Sequence, residues 1–194
     1  MLKRKQASLR EKGAIGYYID VGCCDPIAGS NTYLFYKAGW RGLCIDANPD
    51  IAENFRKERP GDVVLSCGVG SEPETLKFYR FLNPQHNTFN EGRAKRYPDK
   101  VESIIEVPVR TLTSLIEENL PLGKRIDLLS IDAEGFETKI LSAMDFTKLR
   151  PTLIIIEMFS SLRQAFDQPS VQLLENAGYK FMASTGHDAI FIDQ

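Results

Sequence analysis

Segments with strand character and segments with helix character follow one another along this chain, and that alternation limits its fold more than any other feature. GYYIDVG reads as a first strand, and SNTYLFYKAG as a short helix ending near Gly39. RGLCIDAN is a second strand. DIAENFRKERPG is a second helix, with Asp50 as its N-cap and Pro60-Gly61 as its stop. DVVLSCGVG reads as a third strand. Strands that flank a helix in this way imply parallel crossovers, since parallel neighbours need a long connection.

The middle breaks the pattern. TLKFYRFL and SIIEVPVRTL are β-like, with Pro108 favouring an edge. Between them NPQHNTFNEGRAKRYPDK is polar and rich in turn formers. The stretch 71–112 is expected to be a β-rich insertion over the carboxyl ends of the sheet. The alternation then resumes: TSLIEEN helical, RIDLLSIDAEG a fourth strand, FETKILSAMDF a helix, PTLIIIEMF a fifth strand and PSVQLLENAG a helix capped by Gly178. YKFMAST and DAIFID close the chain as a hairpin about Gly186-His187. The expectation is a single α/β domain over residues 1–194. Its doubly wound, seven-stranded sheet is mostly parallel, with an antiparallel C-terminal strand.

Composition narrows the function. With 194 residues, 43% apolar, the chain suits one globular domain. A net charge of −2 gives no electrostatic case for nucleic acid. The basic start, MLKRKQASLREK, is read as an N-terminal extension over 1–14; it lacks the apolar run of a signal peptide. No stretch approaches the roughly 20 apolar residues of a membrane span. The four cysteines, at 23, 24, 44 and 67, form neither a disulfide framework nor a zinc pattern. They read as reduced thiols of a cytoplasmic protein.

Ligands of open α/β sheets bind beyond the carboxyl ends of the strands, where the strand order reverses. Asp20, Asp46, Asp132 with Glu134, and Glu157 all fall at such ends. One acid there is commonly a cap or turn residue. Four strand ends converging on one crevice need a better reason, because gathered carboxylates repel one another. Asp46, 26 residues after Asp20, can accept the hydroxyl hydrogens of an adenosine ribose. Gly22 lets backbone approach a ligand closely. The phosphate half of a nucleotide site is poor: GxGxxG is absent, and Asp25 stands where a pyrophosphate would lie. A nucleoside cofactor with a positive centre and no phosphate fits, and S-adenosylmethionine is one.

The chain resembles the FkbM family of S-adenosylmethionine-dependent methyltransferases. The matching stretches are YIDVGCCDPIAGSNTYLFYKAGWRGLCIDANP, NTFNEGRAKRYPDK with VPVRTL, LLSIDAEGFETKIL and RPTLIIIEM. The D-x-E-G-x-E run (Asp132, Glu134, Gly135, Glu137) and the run from Gly39 to Pro49 carry most weight. The resemblance implies a class I methyltransferase sheet and methyl transfer to a hydroxyl, often on a sugar or glycosylated small molecule. It departs in the first turn, where DVGCCDP replaces the usual DVGAN-x-G.

Asp20, Gly22, Cys23, Asp46, Ala47, Asn48, Cys67, Gly68 and Asp132 are therefore the candidate cofactor residues. Asp132, Glu157 and His86 are the candidates for the chemistry, with Glu157 or His86 as base or its helper. Asp132 could instead only position the methionine moiety. Glu134 and Glu137 read as capping or pairing residues, and His187 as a turn residue. Arg93, Lys95 and Arg96 could grip an anionic acceptor or form an exposed helix face. Trp40, Tyr33, Phe35 and Tyr36 read as core packing. Asp132 and Glu157 could bind a divalent cation, but the metal-free reading is preferred. The expected partner is a small-molecule hydroxyl acceptor such as a carbohydrate; a homodimer is left open. A nucleotide-dependent oxidoreductase and a non-catalytic binding module are the competing readings.

Overall fold

A computed structural model describes residues 15–158 and 167–194; the basic start lies outside these. The elements are β1 (Tyr17–Val21), α1 (Tyr33–Lys37), β2 (Arg41–Asp46), α2 (Ile51–Glu58), β3 (Val63–Ser66), β4 (Gly68–Gly70), β5 (Glu74–Phe81), α3 (Glu91–Arg96), β6 (Val101–Thr111), α4 (Leu112–Asn119), β7 (Leu128–Ile131), α5 (Glu137–Ser142), β8 (Leu153–Glu157), α6 (Pro169–Asn176), β9 (Tyr179–Ser184) and β10 (Asp188–Asp193).

Seven strands form one sheet in the order β3-β2-β1-β7-β8-β10-β9. β10 runs antiparallel to both its neighbours, and the other pairings are parallel. The order reverses at β1: β2 and β3 extend to one side, β7 and β8 to the other. Right-handed crossovers then put the helices of the two halves on opposite faces. The period of two along β1 meets both layers. Tyr17, Ile19 and Val21 pack with Leu115, Ile116, Ile140 and Leu174 from α4, α5 and α6. Tyr18 packs with Ile51 and Phe55 from α2, and Phe35, Tyr36 and Trp40 lie against that cluster. Strands buried on both faces read as continuous apolar runs, which is why β1, β7 and β8 are legible.

Three expectations are corrected. DVVLSCGVG is not one strand. β3 ends at Ser66 in the large sheet, and β4 joins a second sheet of order β4-β6-β5. The break suits Gly68, where a Cβ would stand 2.6 Å from a ring carbon of Phe89 and 2.9 Å from Val109. Pro108 is not on an edge strand, because β6 is the middle strand of that sheet. The proline is tolerated because β4 covers β6 only from Val109 to Thr111. Asp50 holds the N-cap position of α2 but its side chain makes no cap bond. It pairs instead with Arg80 of β5, tying the second sheet to the first.

Candidate active site

The β1–β2 edge builds the first half of the site from backbone. Gly22 donates its N–H to the Ile45 carbonyl at 2.8 Å. Cys24, in left-handed backbone with φ 42°, donates its N–H to Asp46 Oδ2 at 2.9 Å. Asp46 Oδ1 accepts from the Asn48 N–H at 2.7 Å. Asp46 thus staples the two turns together, and each of its oxygens keeps a lone pair for a ligand. Asp25 closes its own turn, its Oδ1 accepting from the N–H groups of Ile27 and Ala28 at 2.8 and 2.7 Å. A carboxylate-centred turn therefore stands where a glycine-rich one would cradle phosphates.

All four cysteines are free. Burial pushes the Cys23 thiol well up, and the Cys24 thiol to about 12. Neither is a thiolate near neutral pH, so neither serves as a nucleophile there.

A cavity of about 560 Å³ opens at these strand ends. Ala47, Cys67, Gly68, Phe78, Phe89 and Phe136 make its apolar wall. The three rings form a ladder, with centroids 4.9 Å apart for Phe78 and Phe89 and 5.3 Å for Phe89 and Phe136. Such a wall suits a flat heterocycle.

Acids gather at the other end. Asp132, Glu134 and Glu157 each offer an oxygen within 4.8 Å of the others. Burial raises both Asp132 and Glu157 above the usual carboxyl range, Glu157 the more because the charge of Asp132 adds to its burial, while the hydrogen bond from Glu157 opposes the rise at Asp132. Two carboxyl groups this close do not both ionise cheaply, and the larger rise at Glu157 favours it over Asp132 as the holder of a shared proton. Glu134 has left-handed backbone (φ 50°) and is ion-paired with Arg93. Burial pushes its carboxyl up to about 7, with Arg93 opposing. Glu137 caps the turn before α5, its Oε1 accepting from Ala133 N–H at 2.9 Å and Gly135 N–H at 3.2 Å. Glu134 of this trio is already engaged by the Arg93 guanidinium.

Residues 84–89, between β5 and α3, also line the cavity. Thr88 donates its hydroxyl to the Glu134 carbonyl at 3.1 Å, and His86 Nδ1 lies 3.3 Å from an Arg93 nitrogen. Arginine only donates, so Nδ1 accepts and the ring proton sits on Nε2.

Of the residues singled out in the sequence, Asp20, Gly22, Cys23, Asp46, Ala47, Cys67, Gly68, His86, Asp132 and Glu157 line this cavity. Asn48 is buried away from it, its Oδ1 accepting from the Asp50 N–H at 3.2 Å. His187 sits in the turn before β10, as expected, and also lines the cavity. Arg93 does not extend toward solvent for an acceptor but holds Glu134, and Lys95 pairs with Glu91 at 3.0 Å. The aromatic wall was missed. Phe89 alone had a signal, as the one aromatic amid the polar stretch 83–96.

A seven-stranded sheet of this order, with one antiparallel strand and a cavity at the reversal point, defines a class I methyltransferase. The chain belongs to the FkbM methyltransferase family: the family model described as the methyltransferase FkbM domain matches residues 20–181. No curated protein sequence matches the chain significantly. Among solved structures, a TehB-like S-adenosylmethionine-dependent methyltransferase from Corynebacterium glutamicum is similar at TM-score 0.46 and 12% identity, over 98% of this chain and 86% of that one. At that score the likeness adds nothing on activity. Among the described residues no helix is long and apolar enough to cross a membrane.

Proposed function

We propose that this protein transfers a methyl group from S-adenosylmethionine to a hydroxyl oxygen of a small molecule, a sugar or glycosylated compound being the favoured acceptor class. The observation that carries the reading is the meeting of the Asp132 and Glu157 carboxyl groups, with an oxygen of each within 4.8 Å of the other, in the same cavity as Asp46 and the aromatic wall. The cofactor supplies an electrophilic methyl on a sulfonium centre. Asp46 would hold its ribose hydroxyls, and Ala47, Cys67 and Gly68 its adenine. Gly22, Cys23 and Asp20 would face its methionine end.

Asp132 is the preferred base. It keeps its charge because Glu157 carries the shared proton, and it can take the proton of an alcohol as the oxygen attacks the methyl. A positioned base of this kind contributes about 10²–10⁴-fold. His86 has its Nδ1 lone pair engaged by Arg93; through Nε2–H it would orient the acceptor rather than deprotonate it. Closing water out and aligning the oxygen with the methyl supply the larger part, up to about 7–11 kcal/mol. The free thiols fit a reducing compartment, and the cytoplasm is the proposed location.

The first experiment is thermal unfolding with S-adenosylmethionine, S-adenosylhomocysteine and NAD. The reading expects stabilisation by the two adenosyl compounds, about 2.7 kcal/mol at a hundredfold excess over Kd, and none by NAD. Methyl transfer from labelled cofactor to a panel of sugars, glycosides and amines then tests the acceptor class. Transfer to amines alone would sink the hydroxyl reading.

A further inference from the structure

Arg59 is a fully buried arginine outside the cavity, just past the end of α2. Its Nε donates to Asp62 Oδ2 at 2.8 Å, and both side chains are wholly excluded from solvent. Asp62 also accepts from the Tyr18 hydroxyl and from the Gly42 N–H at 2.9 Å, which anchors the pair to β1 and β2. The rings of Tyr18, Tyr36 and Phe55 surround the guanidinium at 5.0–5.3 Å from their centroids.

Nη2 donates to the Tyr18 hydroxyl at 2.8 Å and lies 3.5 Å from Cys44 Sγ, and the other guanidinium contacts go to the segment after β1. They reach Thr32 Oγ1 at 3.0 Å, Ser30 Oγ at 3.2 Å and the Pro26 carbonyl at 3.4 Å. These atoms belong to the segment joining β1 to α1, whose opposite side lines the cavity through Asp25, Ala28, Gly29, Ser30 and Asn31. Thr32 holds the N-cap position of α1, yet its hydroxyl makes no cap bond. Ser30 Oγ takes that task, accepting from the Tyr33 N–H at 3.2 Å. The Thr32 hydroxyl is thereby free to donate to the Asp20 carboxylate, which lines the cavity. One chain of contacts runs from Asp62 through Arg59 and Thr32 to Asp20.

A buried ion pair is a weak source of stability, since an apolar pair of similar volume is often as good. Its value here lies in direction. The first turn has no glycine-rich loop to fix its path, and a fan of charge-assisted bonds fixes it from behind. We propose that Arg59 and Asp62 are positioning residues for the cofactor. They set the path of Pro26–Thr32 and, through Thr32, aim the Asp20 carboxylate into the cavity. The proposal rests on the cavity being the S-adenosylmethionine site.

The test is titration calorimetry of S-adenosylhomocysteine into the wild type, Thr32→Val, Thr32→Ser and the double variant Arg59→Met/Asp62→Leu, with the unfolding midpoint of each ligand-free protein. Thr32→Val keeps shape and removes both hydroxyl links, the one from Arg59 and the one to Asp20, so it is expected to fold and to weaken binding by about tenfold. Thr32→Ser keeps the hydroxyl and is expected to bind within about twofold. The double variant, where it folds, is expected to bind at least as weakly as Thr32→Val. Unchanged affinity in Thr32→Val, or equal losses in Thr32→Val and Thr32→Ser, overturns the proposal. A wild type that does not bind S-adenosylhomocysteine overturns the reading of the cavity and this proposal with it.

Discussion

The carbonyl oxygen of Asp132 occupies the space that a side chain on Gly22 would need: a Cβ there would stand 1.7 Å from it. Gly22 also has φ +77°, a conformation that side chains resist. The first turn and the end of β7 therefore approach as backbone on backbone at the bottom of the cavity. Gly22→Ala must push β1 and β7 apart. The expected cost is about 1–3 kcal/mol in urea unfolding, with loss of S-adenosylhomocysteine binding. Wild-type values for both would refute this packing.

The Asp132–Glu157 pair makes opposite predictions for its two members. Glu157 is the favoured holder of the shared proton, so Glu157→Gln imitates its neutral form and is expected to keep kcat within a few-fold. Asp132→Asn removes the base and is expected to lower kcat by about 10²–10⁴-fold. The assay is turnover with whichever acceptor the labelled-cofactor panel identifies. A large loss in Glu157→Gln beside a small one in Asp132→Asn would reverse the assignment.

Asp46 accepts from both Cys24 and Asn48. Asp46→Ala leaves two backbone donors without an acceptor, so it is expected to cost about 1–3 kcal/mol of stability as well as affinity. Asp46→Asn keeps one acceptor oxygen and is expected to lose less stability. Equal unfolding midpoints for the two variants would show that the staple is not structural.

Stability should carry the signature of Glu134. Its carboxyl is raised by burial to about 7, so the folded chain holds a proton that the unfolded chain has released. The group's contribution is full below the ordinary carboxyl range and falls as pH rises through about 7. The unfolding midpoint of the wild type minus that of Glu134→Gln is expected to decrease between about pH 4.5 and 7. An increase would mean that Arg93 outweighs burial.

Turnover is expected to be unchanged by a strong chelator, because Arg93 already engages Glu134 of the acid trio. Loss of activity restored by a divalent cation would return the metal reading to the front.

Much of this was legible in the sequence, for a physical reason. Strands buried on two faces must be apolar throughout, and their ends must be polar, so β1, β2, β7 and β8 and the acids at their tips mark themselves. The chain order then forces those tips to one edge. What the sequence could not give is which atoms are already engaged. Asn48 looks like a ligand residue beside Asp46, yet closes its own turn. Arg93 looks like an anchor for an acceptor, yet holds Glu134. Arg59 looks like one more charge in RKERPG, yet is buried against Tyr18, Asp62 and Thr32. Residues far apart in sequence compete for the same donors and acceptors, and only tertiary packing settles that competition. The same holds for Phe78, Phe89 and Phe136, which become one wall only when the second sheet folds over the first.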